Sequence, residues 1–80
     1  MTFSGLVLMF GTTALLHLGE APPPGGGEKK QDLPQAKHVI DLLGVLQEKT
    51  KGNLTAEESG LLDNLLFDLR LRYLEAVKAG

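Results

Sequence analysis

The stretch IDLLGVLQEKTKGNLTAEESGLLDNLL, Ile40 to Leu66, constrains this chain more than any other. It is an apolar-periodic run, a turn, and a second apolar-periodic run, the pattern of a helical hairpin. Lys49 and Lys51 fall in the last turn of the first helix, where cations face the negative end of the helix dipole. Gly52 follows as a candidate left-handed C′ residue, a position glycine takes because it has no Cβ. Thr55-Ala56-Glu57-Glu58 then reads as a capping box. In such a box the Thr55 side chain accepts from the Glu58 N–H, and the Glu58 carboxylate reaches back to the Thr55 N–H. Leu54, before the cap, can staple only loosely onto Ser59 or its apolar neighbours, so a hydrophobic staple adds little. The Lys49–Asn53 run can also be read as an anion-binding turn, but a helix–helix connection accounts for all of its residues.

Eighty residues make one domain at most. A chain this short buries only about 60% of its unfolded surface, so a lone monomer is expected to be marginal. Seventeen leucines against three phenylalanines, one tyrosine and no tryptophan point to an all-α chain packed by aliphatic side chains. The net charge is −2 and the basic residues are scattered, which leaves no field to attract nucleic acid or anionic lipid. There is no cysteine, which excludes disulfides, thiolate catalysis and Cys-ligated zinc and is compatible with a reducing cytoplasm.

From Thr2 to Leu18 the chain has no Asp, Glu, Lys or Arg. A helix over about residues 2–19 places Phe3, Val7, Phe10, Ala14 and Leu18 on one stripe, widened by Leu8 and Leu15 on one side and Leu6 on the other. Met9 and Leu16 stand on the opposite side among Thr2, Gly5, Thr12 and Thr13, so burial on more than one side is expected. Gly19 is the stop. A transmembrane helix needs about 17–25 apolar residues, and this run sits at that lower limit with Thr12, Thr13 and His17 inside it and no basic residue before it. A signal peptide is the second alternative, since Gly19-Glu20-Ala21 loosely resembles a cleavage site, but the basic n-region is missing. The favoured reading is a buried helix of a soluble oligomer.

Residues 21–32 (APPPGGGEKKQD) read as a linker, with prolines and glycines that refuse regular structure and a solvated charged end. The Gly25–Lys30 run is not a phosphate loop, because no strand precedes it and no Ser or Thr follows the lysine. A second helix is expected over about 33–51, with Asp32 as N-cap and Pro34 in the first turn. Ala36, Val39, Ile40, Leu43, Leu46 and Thr50 form its inner face, with Leu42 at the edge. Gly44 in its interior costs about 1 kcal/mol relative to Ala, for which a close helix contact is the expected reason. A third helix is expected over about 56–78, with Leu61, Leu62, Leu65, Leu66, Leu69, Tyr73, Ala76 and Val77 on its main stripe. Phe67, Leu71 and Leu74 make a second stripe at i, i+4, i+7, and Asp68 with Arg72 is spaced for a helical ion pair.

Several stretches together carry a family likeness. They are Ala14-Leu15 with His17-Leu18-Gly19-Glu20, Ala36-Lys37 with Ile40-Asp41-Leu42-Leu43-Gly44, Leu46-Gln47-Glu48-Lys49-Thr50-Lys51-Gly52-Asn53-Leu54-Thr55, and Asp68-Leu69-Arg70 with Tyr73. On these the chain resembles the short bacterial family catalogued as domain of unknown function 1844, over nearly its whole length. The run from Leu46 to Thr55 is the most specific part. The resemblance implies a small, intracellular, all-helical bacterial protein with no established activity, and it makes the first helix part of the domain, against a signal peptide. No functional residue is carried over from it.

The residues that could carry chemistry all have simpler readings. His38 and Asp41 stand one helical turn apart, but two ligands are too few for a metal site, and His17 reads as a core or interface histidine. Glu57 and Glu58 are explained by capping and the helix dipole, and Asp63 and Asp68 by a solvated face, rather than by acid–base work. Ser4 and Ser59 lack a nucleophile-elbow context. A helix-turn-helix reader would present the start of its second helix to DNA, and here that end carries Glu57 and Glu58, which phosphates repel. The expectation is therefore an all-α protein of three helices, a C-terminal antiparallel hairpin plus an apolar N-terminal helix, completed by oligomerisation. No catalytic residue, metal or cofactor is expected, nor any nucleic acid. The expected role is a non-enzymatic, cytoplasmic, self-associating interaction module, with a further protein partner open and a membrane-associated accessory protein anchored by the first helix as the alternative. The interface residues expected are Phe3, Val7 and Phe10 on the first helix and Phe67, Leu71 and Leu74 on the third.

Overall fold

Three helices carry the chain in a computed structural model that describes residues 2–20, 27 and 30–79: α1 (Phe3–Leu18), α2 (Leu33–Lys49) and α3 (Ala56–Ala79). The fold is all-α. Most of the expected linker, residues 21–26 and 28–29, lies outside the described residues.

Each helix begins on a side-chain oxygen. Thr2 Oγ1 accepts from the Gly5 N–H at 3.0 Å, and Asp32 Oδ1 from the Gln35 N–H at 3.2 Å. At α3 the box is reciprocal: the Glu58 N–H donates to Thr55 Oγ1 at 3.1 Å and the Thr55 N–H to Glu58 Oε1 at 2.9 Å. Gly52 in the turn has φ +87, the left-handed conformation expected of it. α2 closes at Lys49, two residues short of the expected end; Thr50 caps it, its backbone N–H and its hydroxyl both donating to Leu46 O.

The end of α1 is tied off completely. A helix leaves its last four carbonyls without intrahelical donors. Here the Glu20 N–H donates to Leu15 O and the Gly19 N–H to Leu16 O, with Gly19 at φ +80, a Schellman closure. The remaining two are taken by the segment entering α2: the Asp32 N–H donates to His17 O at 2.7 Å and Gln31 Nε2 to Leu18 O at 3.3 Å. The start of α2 is thus pinned to the end of α1, and the two run antiparallel. α3 runs parallel to α1, since Gly11 lies against Leu65 and Glu20 meets Arg72.

All three helix pairs are in contact, so α1 packs on both members of the hairpin. The core is Val7, Ala14 and Leu18 of α1, Ala36, Val39, Ile40 and Leu43 of α2, and Leu62, Leu66 and Leu69 of α3. Gly11, Ala14 and Ala36 are buried small residues, which allow the backbones to come close. At Gly11 the approach is tight: a Cβ there would lie 2.9 Å from Leu65 Cδ2. This closure corrects one expectation. The stripe of α1 does not need a second subunit for its burial, because α2 and α3 of the same chain enclose it. Leu8, expected on that stripe, is exposed together with Met9, and Val77 of the main α3 stripe is exposed near the end of its helix.

Candidate functional site

Six residues were expected at an interface, and the structure divides them into two groups. Val7 is fully buried in the chain's own core, and Phe3 and Phe10 pack half-buried against it. Val7 is therefore a core residue, unavailable to a second copy in this fold. Phe67, Leu71 and Leu74 behave differently, with 73%, 47% and 55% of their surfaces open to solvent. They lie together because residues three and four apart share a helix face. α1 does fold back onto α3, but on the flank that carries Leu65, leaving this strip uncovered.

The strip borders a groove between α2 and α3. Arg70 lies across Gly44, with Nη2 3.1 Å from where a Cβ would stand, so the close contact at Gly44 is a guanidinium rather than a helix backbone. On one side of Arg70 is a shallow cavity of about 320 Å³ lined by Gln47, Asp63, Phe67, Leu71 and Leu74. On the other is a cavity of about 250 Å³ lined by Lys37, Ile40, Asp41, Tyr73 and Leu74. Gln47 Nε2 donates to Asp63 Oδ1 at 2.5 Å and ties the two helices at the groove's end.

Four of the carboxylates singled out in the sequence, Asp41, Glu58, Asp63 and Asp68, have structural partners. Asp41 pairs with Lys37 at 3.2 Å rather than with His38, which is exposed. Asp68 accepts from Arg72 Nε at 2.8 Å, and Glu20 from Arg72 Nη1 at 2.7 Å. The hydrogen bond to Asp68 and then the charge of Glu20 raise the Arg72 pKa further, so this side chain stays cationic. That bridge from the end of α1 to α3 had no signal in the sequence beyond the Asp68–Arg72 spacing. Among the described residues no three His, Asp or Glu side chains are grouped to hold a metal ion. The cavity at the Lys49–Asn53 turn is lined by Glu48 and Asp63 as well as Lys51, which is unsuited to an anion.

Residues 1–75 match the family model described as Domain of unknown function (DUF1844). The chain belongs to this family. No curated protein and no solved structure matches the DUF1844 chain. No helix among its described residues is long and apolar enough to cross a membrane.

Proposed function

We propose that this DUF1844 protein is a non-enzymatic, self-associating helical module, in which the Phe67–Leu71–Leu74 strip of α3 docks on a second copy. The observation that carries the reading is the exposure of Phe67, the most exposed of the large apolar side chains at 73%, at the head of a strip that continues through Leu71 and Leu74 on one face of α3. Water contact at such a side chain is unfavourable by about 25 cal/mol per Å² of apolar surface, and soluble monomers rarely leave large strips open. Removing the strip from water is the driving force for association. The same reading takes the protein as cytoplasmic and bacterial, in line with its cysteine-free chain and the family it resembles. Anchoring by α1 gains no support, since the apolar stripe of that helix is turned into the bundle.

Light scattering behind size exclusion, over a wide range of loading concentrations, tests this. The expected mass is that of a dimer or larger species, falling on dilution. A constant 8.6 kDa across the range would overturn the reading.

A further inference from the structure

Arg70 and Arg72 are the chain's two arginines, and the fold uses them differently. Arg72 is engaged by Asp68 and Glu20. Arg70 has no carboxylate of its own: among the described residues the remaining ion pair joins Lys37 to Asp41. The absence of a side chain at Gly44 lets the Arg70 guanidinium lie against α2, while the residue as a whole stays exposed. Two acids share its cavities. Asp41 is held by Lys37 on one side, and Asp63 accepts from Gln47 on the other. Glu75 borders a separate cavity, with Glu20 and Arg72.

The cavity on the Lys37 side has the composition of a receptor. Ile40, Tyr73 and Leu74 give it apolar walls, and Arg70, Lys37 and the Tyr73 hydroxyl give it donors. Its charges are Lys37, Asp41 and Arg70; the first two cancel as a pair, which leaves one positive charge unmatched. We propose that this cavity binds a small monocarboxylate with an apolar body, held by Arg70. A guanidinium presents its N–H groups as a planar fork that matches a carboxylate. One unmatched charge suits a monoanion, whereas a phosphate dianion would be left facing Asp41. The apolar body replaces water along Ile40 and Leu74, which is favourable in itself. At about 250 Å³ the cavity is smaller than the roughly 300–1,000 Å³ of drug-sized sites, so that body is a short chain or a single ring. Arg70, Lys37 and Ile40 lie outside the α3 strip, so binding does not require a second copy.

Hexanoate is the probe, titrated into isotope-labelled full-length protein and followed by NMR, with hexanol and hexylammonium as matched controls. The expected result is saturable shifts at Gly44, Arg70 and Tyr73, with hexanoate bound roughly tenfold more tightly than either control, as a hydrogen bond to a charged group provides. Arg70→Met should lower hexanoate to the level of hexanol while the melting temperature holds, since this side chain is exposed. Arg70→Lys, which keeps the charge without the fork, should fall between the two. Lys78→Met removes a cation that does not line the cavity, and should bind hexanoate like the wild type. Hexanoate shifts that do not saturate would overturn the site, as would equal binding of hexanol by the wild type. So would an Arg70→Met protein that binds hexanoate as tightly as the wild type.

Discussion

Gly11 of α1 lies directly beneath Leu65 of α3, so close that a Cβ at residue 11 would stand 2.9 Å from one Leu65 methyl and 3.1 Å from the other. This is where α1 seats on the hairpin and converts a marginal pair of helices into a closed bundle. Gly11→Leu should force α1 and α3 apart and destabilise the fold by about 1–3 kcal/mol, as overpacking does. Urea unfolding followed by circular dichroism measures it. Gly60→Ala is the contrasting case: it sits within α3 with open space around it, and should stabilise by up to about 1 kcal/mol through helix propensity.

The turn between α2 and α3 depends on two local devices. Thr55→Ala removes the acceptor for the Glu58 N–H and should cost about 0.5–2 kcal/mol. Gly52→Ala places a Cβ on a residue at φ +87 and should cost about 1–2 kcal/mol from left-handed strain. Thermal melts at one fixed protein concentration check both, and midpoints matching wild type would contradict the account of the turn.

Leu66 and Phe67 are neighbours in sequence with opposite roles. Leu66 is 1% exposed, and Leu66→Ala should destabilise by about 2–5 kcal/mol. Phe67→Ala should change the stability of the isolated chain far less, because most of its ring is already in water. Unfolding measured at high dilution separates the two, and equal losses would mean that Phe67 is packed in the monomer.

Arg72 joins Glu20 to Asp68 across half-exposed pairs. Arg72→Met should therefore cost less than about 1 kcal/mol, and added salt should weaken the wild type towards the variant. Unfolding curves at low and high salt provide the comparison.

What the sequence shows of this fold is what rests on short spacings. The Thr55–Glu58 box and the left-handed Gly52 are encoded within a few residues, and both are found as read. The inner face of α2, Ala36, Val39, Ile40 and Leu43, follows from helical periodicity and is buried. The seating of α1 is not local: nothing near Gly11 names Leu65, and nothing near Glu20 names Arg72. Periodicity also cannot say which flank of α3 a returning α1 will cover. It therefore identified Phe67, Leu71 and Leu74 as one stripe while leaving Val7 grouped with them as an interface residue, when it belongs to the core. Gly44 carried a signal of close approach, but the partner, Arg70, lies 26 positions away and is a side chain rather than a helix.

The most direct test of the central claim compares two equally exposed apolar residues on different helices. Leu71 on the α3 strip and Met9 on α1 each leave 47% of their surface in water. Leu71→Glu and Met9→Glu place the same charge at each, and sedimentation equilibrium reads the mass of both beside the wild type. A carboxylate at residue 71 would be buried without a partner in the interface, whereas at residue 9 it stays solvated. The account predicts that Leu71→Glu sediments as an 8.6 kDa monomer with its helix content kept, while Met9→Glu associates like the wild type. A Leu71→Glu protein that retains the wild-type mass over the same concentrations would contradict it.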